Sequence, residues 1–109
     1  MNITTRDEGD TTVVMLNGKL DTNTTPAAES EINALIDDGA SKLLINFEQL
    51  SYISSSGLRL LLATAKRLKG NGGDLQVCSL NVMATEVFEI SGFSTILKVF
   101  PNEQAALGS

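Results

Sequence analysis

A chain of 109 residues, 42% hydrophobic and 19% charged, has the size and composition of one globular domain over residues 1–109 and not of a disordered tail. Eight basic residues against thirteen acidic ones leave a formal charge of -5, so nucleic acid would bind against the mean field of the protein and is not expected as a partner. No apolar run approaches the roughly eighteen residues that span a bilayer, and no basic-then-apolar leader opens the chain, so the expected setting is cytoplasmic, with no membrane partner.

Val13-Val14-Met15-Leu16 is a β-branched and apolar run that ends at the turn dipeptide Asn17-Gly18 and follows the polar Glu8-Gly9-Asp10. This predicts a hairpin: an edge strand over 2–6, a tight turn, and a more buried strand over 11–17. Thr25 reads as an N-cap with Pro26 as the first helical residue, where its missing N–H costs nothing. Ala28, Ile32, Leu35 and Ile36 then recur at helical spacing until Gly39. Lys42 to Phe47 is short and apolar, as expected of a central strand covered on both faces, and Leu50, Tyr52 and Ile53 beyond it read as a loop anchored by apolar side chains.

After Gly57, the positions Leu58, Leu61, Leu62, Ala65 and Leu68 form one helical stripe, with Arg59, Lys66, Arg67 and Lys69 as polar contacts. Gly70-Asn71-Gly72-Gly73 stops this helix. Lacking a preceding strand and a following Lys-Ser/Thr, the glycines are a turn and not a phosphate-binding loop. A strand over 75–80 follows, then a helix capped by Asn81 whose apolar positions are Val82, Val87, Phe88 and Ile90, ending at Ser91-Gly92. A strand over 96–100 comes next, and a short terminal helix can start from Pro101, with Glu103, Ala105, Ala106 and Leu107. Gly108-Ser109 is compatible with a true end or with a last helix cut short. Strands alternating with helices predict an α/β fold: a central, mostly parallel sheet with an antiparallel hairpin at its N-terminal edge and helices covering it. Functional loops in such sheets gather beyond the carboxyl ends of the strands, where the segment from Phe47 to Ser56 leads.

The chain contains no histidine, which excludes a Ser-His-Asp triad and the usual Cys-His pair. Glu29, Asp37, Asp38, Glu48, Glu86 and Glu89 read as solvated helix or loop faces, and no calcium-loop spacing occurs among the acids. A binding protein, not an enzyme, is expected, with no metal or cofactor. Cys78, the single cysteine, lies in the apolar run Leu75-Gln76-Val77-Cys78 and reads as a buried structural thiol.

Ser54-Ser55-Ser56 stands immediately before Gly57 and the apolar stripe. Ser55 or Ser56 would serve as N-cap, worth about 0.5 to 2 kcal/mol. One hydroxyl satisfies that need and three exceed it, so the second reading is a regulated hydroxyl, a phosphate acceptor exposed at a helix N-terminus.

Tyr52-Ile53-Ser54-Ser55-Ser56-Gly57-Leu58, followed by Arg59-Leu60-Leu61-Leu62, resembles the phosphorylation-site segment of bacterial anti-sigma factor antagonists, small proteins of the STAS domain family. Leu16-Asn17-Gly18-Lys19-Leu20-Asp21 is similar to the family's Gly-x-Leu-Asp signature, and Val87-Phe88-Glu89-Ile90-Ser91-Gly92-Phe93 to its third helix and turn. The three segments fall in the family's order and spacing and span nearly the whole chain. The resemblance implies an α/β domain in which Ser56, directly before Gly57, is the phosphorylation site, with Ser55 as the alternative acceptor. It further implies an anti-sigma factor or related serine kinase as partner, and a metal-dependent serine phosphatase that restores the unmodified form. That form takes the anti-sigma partner away from its sigma factor. Ser54 stands where the family often carries Asp, and many relatives act in partner-switching pathways that do not end in a sigma factor.

The partner surface is then expected to comprise Asp21, Thr22, Asn23 and Thr24 together with Ser54, Ser55, Ser56, Gly57, Leu58 and Arg59. Asp21 has a second reading, as a cap of the turn into the first helix. Gly57 either keeps a side chain out of the way of kinase and partner or is simply a turn residue. The alternative for the whole chain is a STAS-type structural or assembly protein whose serines only cap a helix.

Overall fold

The second strand of this protein divides one of its edges between two different neighbours, and the rest of the architecture follows from that division. The computed structural model describes residues 1–108. In chain order these form β1 (Asn2–Glu8), β2 (Thr11–Leu20), α1 (Thr25–Asp37), β3 (Lys42–Asn46), β4 (Leu50–Ile53), α2 (Ser55–Gly70), β5 (Asp74–Cys78), α3 (Val82–Ser91), a 3₁₀ turn (Phe93–Thr95), β6 (Lys98–Phe100) and α4 (Glu103–Leu107). The strands lie in the order β1-β2-β3-β5-β6, with β4 beside the far half of β2. β1 runs antiparallel to β2, and every other pairing is parallel. The mostly parallel sheet with an antiparallel edge hairpin is the one the sequence predicts.

Both hairpin strands run longer than expected, and Asn17-Gly18 does not end the second. Gly18 adopts φ +113°, a left-handed conformation that suits glycine, and its N–H donates to the Gln49 carbonyl at 3.0 Å. The register shifts between Gly18 and Lys19. β2 therefore leaves β3, which it accompanies from Thr11 to Met15, and continues beside β4, pairing Lys19 with Tyr52 and Leu20 with Ile53. Leu50 to Ile53 is thus a strand and not the expected anchored loop. Its outer residues are buried and Ser51 and Tyr52 are exposed, so the two-residue alternation that announces a strand is absent.

One face of the sheet carries the main core. Val14, Leu16, Leu43, Ile45, Leu75 and Val77 from the strands meet Ala28, Ile32 and Ile36 of α1, Leu61, Ala65 and Leu68 of α2, and Ala84 and Phe88 of α3. Phe47 and Phe88 pack edge to face with ring centroids 5.7 Å apart. The stripe of α2 is rotated from the one read in the sequence: Gly57, Leu60, Leu61, Thr64, Ala65 and Leu68 are buried, while Leu58 and Leu62 are only half-buried. In α3, Val82 and Ile90 are 77% and 87% exposed, because Ala84 and Phe88, four residues apart, form the buried seam instead. Asn81 caps that helix as expected, its side chain accepting from the Ala84 N–H at 2.8 Å. The strand expected over 75–80 ends at Cys78, and the last strand begins at Lys98 because the chain first makes the 3₁₀ turn.

The opposite face holds a smaller cluster of Val13, Leu44 and Cys78, covered by Ala106, with Phe100 and Leu107 at its margin. Burial pushes the Cys78 thiol pKa up, consistent with a structural role for this residue. The covering element, α4, is capped by Asn102, which accepts from the Ala105 N–H, and is tied down through Glu103. The Glu103 carboxylate accepts from Arg6 of β1 and from the Asn46 side chain of β3. The Arg6 hydrogen bond holds the Glu103 carboxyl below the usual glutamate range. A depressed carboxyl stabilises the folded state above its ordinary pKa, and that contribution is lost as the pH falls through the folded value. At pH 7, Glu103→Gln is therefore expected to loosen α4 and to speed labelling of Cys78 by a thiol reagent several-fold. An unchanged rate would show that apolar contacts alone hold the helix down.

Candidate functional site

Leu20 and Ile53 are register partners at the ends of parallel strands, so the residues that follow them, Asp21 and Ser54, open two loops side by side. The Ser54 N–H donates to the Leu20 carbonyl at 2.8 Å and joins the two loops directly. All ten residues expected at the partner surface belong to these two loops and the first turns of α2, at the carboxyl end of β2 and β4.

The Asp21 carboxylate accepts from the N–H groups of Asn23 at 2.9 Å and Thr24 at 3.0 Å. The Thr24 amide is the main reason that the Asp21 carboxyl sits below the usual aspartate range. Thr24, not Thr25, occupies the N-cap position of α1, and it makes no side-chain capping bond. Its hydroxyl instead donates to the Lys19 carbonyl at 2.7 Å. Thr25 is the first helical residue and Pro26 the second, with the Thr25 hydroxyl donating to the Asp21 carbonyl at 2.6 Å. Asp21 is thus bound into the turn that starts α1, while Thr22 and Asn23 at its tip are exposed.

The serine run divides its tasks differently from the sequence reading. Ser54 is the N-cap of α2, its Oγ accepting from the Gly57 N–H at 3.2 Å, and its carbonyl accepts from the Leu58 N–H at 3.0 Å. Neither Ser55 nor Ser56 is the cap; with three hydroxyls in succession, propensity alone does not choose among them. Ser55 is exposed and Ser56 half-buried. The Ser56 Oγ accepts from Arg59 Nη2 at 3.3 Å.

Gly57 is buried, and a Cβ built there would lie 2.9 Å from Leu20 and from Ile53. Close packing, and neither a turn nor a cleared approach for a partner, explains the glycine. Leu58 is half-buried against the core and Arg59 is exposed. Sequence reasoning missed the groove beside Ser56. It has a volume of about 360 Å³ and is lined by Thr22, Thr25 and Glu29 from the α1 side and by Ser56, Arg59 and Ala63 from α2. No signal in the sequence could reveal it, because α1 and α2 meet only through the fold. The remaining exposed aromatic near the site, Tyr52, is 46% exposed on β4.

The two loops thus bring hydroxyls, one guanidinium and a helix N-terminus together at one end of an α/β sheet. Among the described residues no group of three or more His, Cys, Asp or Glu is disposed to hold a metal ion, and no helix is long and apolar enough to cross a membrane. The model of the STAS domain matches residues 2–106. BtrV of Bordetella bronchiseptica, named an anti-sigma factor antagonist, is 37% identical over 94 residues, which cover 86% of this chain and 81% of that protein. The crystal structure of an anti-sigma factor antagonist from Mycobacterium paratuberculosis superposes with a TM-score of 0.91 at 25% identity, covering 98% of this chain and 91% of that one. The Bacillus cell fate determinant SpoIIAA, solved in its phosphorylated form, gives a TM-score of 0.75 at 26% identity, with 96% of each chain covered. The chain belongs to the STAS domain family, that of the anti-sigma factor antagonists. Membership makes it a regulatory protein that acts by binding and not by catalysis.

Four alanine substitutions test this local geometry by thermal or denaturant unfolding. Ser54→Ala is expected to cost about 1 kcal/mol, whereas Ser55→Ala and Ser56→Ala should stay within about 0.5 kcal/mol of the parent. Gly57→Ala is expected to cost about 1 to 3 kcal/mol through overpacking against Leu20 and Ile53. Equal effects of all three serine substitutions would contradict the assignment of the cap to Ser54.

Proposed function

We propose that this protein is an anti-sigma factor antagonist: a phospho-regulated binding module whose unmodified form binds an anti-sigma factor or related serine kinase and is released when Ser56 is phosphorylated. A metal-dependent serine phosphatase returns it to the binding form. The observation that carries the reading is the division of labour in the serine run. Ser54 supplies the cap, which leaves the Ser56 hydroxyl structurally dispensable, at the first turn of α2 beside a groove. The rival reading, in which the serines only cap the helix, accounts for one of the three hydroxyls. Support comes also from the names borne by BtrV and the Mycobacterium paratuberculosis protein, and from the phosphorylated form in which SpoIIAA was solved. Ser54 in place of the family's frequent Asp keeps a good N-cap residue, since serine and aspartate cap about equally well. The reading holds whether the pathway ends in a sigma factor or in another switched partner.

The energetics suit a local switch. A phosphoryl group adds about -1.5 to -2 charges at pH 7. A helix N-terminus favours an anion by about 0.3 to 1 kcal/mol, up to about 2, so the free domain tolerates the group. Buried unpaired against a docked partner, the same charge costs several kcal/mol, and about 2.7 kcal/mol is already a hundredfold in affinity. The partner surface comprises Asp21 to Thr24 and the exposed residues of Ser54 to Arg59, with Ser55 as the alternative acceptor.

Intact-mass measurement of native protein, with and without phosphatase, is expected to show a single removable phosphate that Ser56→Ala abolishes and Ser55→Ala does not. Ser56→Asp should weaken binding to the cognate anti-sigma kinase at least about tenfold, equivalent to about 1.4 kcal/mol. Absence of phosphate under every growth condition, with unaltered binding by Ser56→Asp, would overturn the reading.

A further inference from the structure

Arg59 lies three residues after Ser56 on α2, a spacing that puts both side chains on one helix face, and its Nη2 already donates to the Ser56 Oγ at 3.3 Å. Arg6, Arg67 and Lys98 are each committed to a carboxylate, but among the described residues Arg59 makes no ion pair. Its guanidinium borders the groove of about 360 Å³ between α1 and α2, with the hydroxyl-bearing Thr22 and Thr25 opposite. Glu29 is the acidic residue of that lining, so an anion entering the groove is driven toward the arginine side.

We propose that Arg59 is an internal receiver for a phosphoryl group on Ser56, holding the modified serine in one position at the mouth of the α1–α2 groove. This rests on the reading of Ser56 as the phosphate acceptor. Phosphorylation forms an O–P bond at Oγ, the hydroxyl proton departs, and the nucleoside triphosphate donor leaves as the diphosphate. The terminal phosphoryl oxygens extend beyond Oγ, within reach of a guanidinium that now contacts Oγ itself. Its parallel N–H donors match two of those oxygens, a geometry that a lysine ammonium does not reproduce. The modified pole thereby presents its charge at a fixed place, half neutralised, in place of a freely rotating ester. Arg59 acts here as a positioning residue.

Phosphoserine installed at position 56 by genetic encoding tests this without a kinase. The probe is the second ionisation of the phosphoryl group, near pH 6 in an unperturbed phosphoserine, followed by ³¹P resonance at low ionic strength. A nearby cation favours the dianion and lowers that pKa. The helix N-terminus acts equally in every variant, so the comparison isolates the side chain. The protein with Arg59 is expected to titrate at least about half a unit below Arg59→Gln, with Arg59→Lys between them, and the gap should shrink in about 1 M salt. Arg59 is exposed, so the variants should fold, which far-ultraviolet circular dichroism checks. Coincident titration of the parent and Arg59→Gln would overturn the proposal. If instead Ser56 is not the natural acceptor, the intact-mass experiment fails while this titration still shows the gap, so the two failures are distinguishable.

Discussion

The first turn of α2 rests directly on the ends of two strands, and Gly57 is what permits it. A Cβ there would lie 2.9 Å from the side chains of Leu20 and Ile53, so any larger residue forces them to shift. That contact, the pairing of Leu20 with Ile53 and the bond from the Ser54 amide to the Leu20 carbonyl form one junction. Asp21 follows immediately on one side of it and the serine run on the other. A site assembled from two segments more than thirty positions apart is thereby fixed by backbone register and one close approach, not by side chains that a partner or a modification would disturb.

The elements that secure the fold lie away from this junction. The main core sits between the sheet and the buried faces of α1, α2 and α3, and α4 closes the opposite face through Ala106 and the Glu103 contacts with Arg6 and Asn46. Ser55, Ser56 and Arg59 contribute no residue to either cluster. Charge can therefore be added at the pole without removing a contact that the core requires, which is what a switch acting by local repulsion needs. Under the proposed function, a partner docked over Ser56 would meet that charge directly.

Much of the fold was legible in the chain because its signals are local. The polar Glu8-Gly9-Asp10 before the apolar run Val13 to Leu16 announced the hairpin, Asn81 announced the start of α3, and Lys42 to Phe47 read as a central strand. β4 escaped because a four-residue strand with an exposed pair at its centre shows no alternation, and because its partner is the portion of β2 beyond the bulge at Gly18. The α2 stripe was misphased because Leu58, Leu60, Leu61 and Leu62 make most of the helix circumference apolar, so hydrophobicity leaves its rotation undetermined; the buried position of Gly57 settles it. Val82 and Ile90 were read as core for the converse reason, since small Ala84 carries little hydrophobic signal yet forms the seam with Phe88. At the site, the serine run and the Asp21 loop were visible as segments. Which serine caps, why Gly57 is glycine and how Arg59 meets Ser56 depend on contacts between elements.

The central claim is that modification of Ser56 acts on the pole and leaves the domain unchanged. Amide ¹H–¹⁵N spectra of the unmodified protein and of the protein carrying phosphoserine at position 56 test it most directly. The account predicts shift changes confined to residues near 20–25 and 53–60, with the amides of β3, β5 and α4 unmoved. Changes spreading through β3 and β5, or a loss of dispersed signals, would show that the phosphoryl group reshapes the fold and would contradict the account.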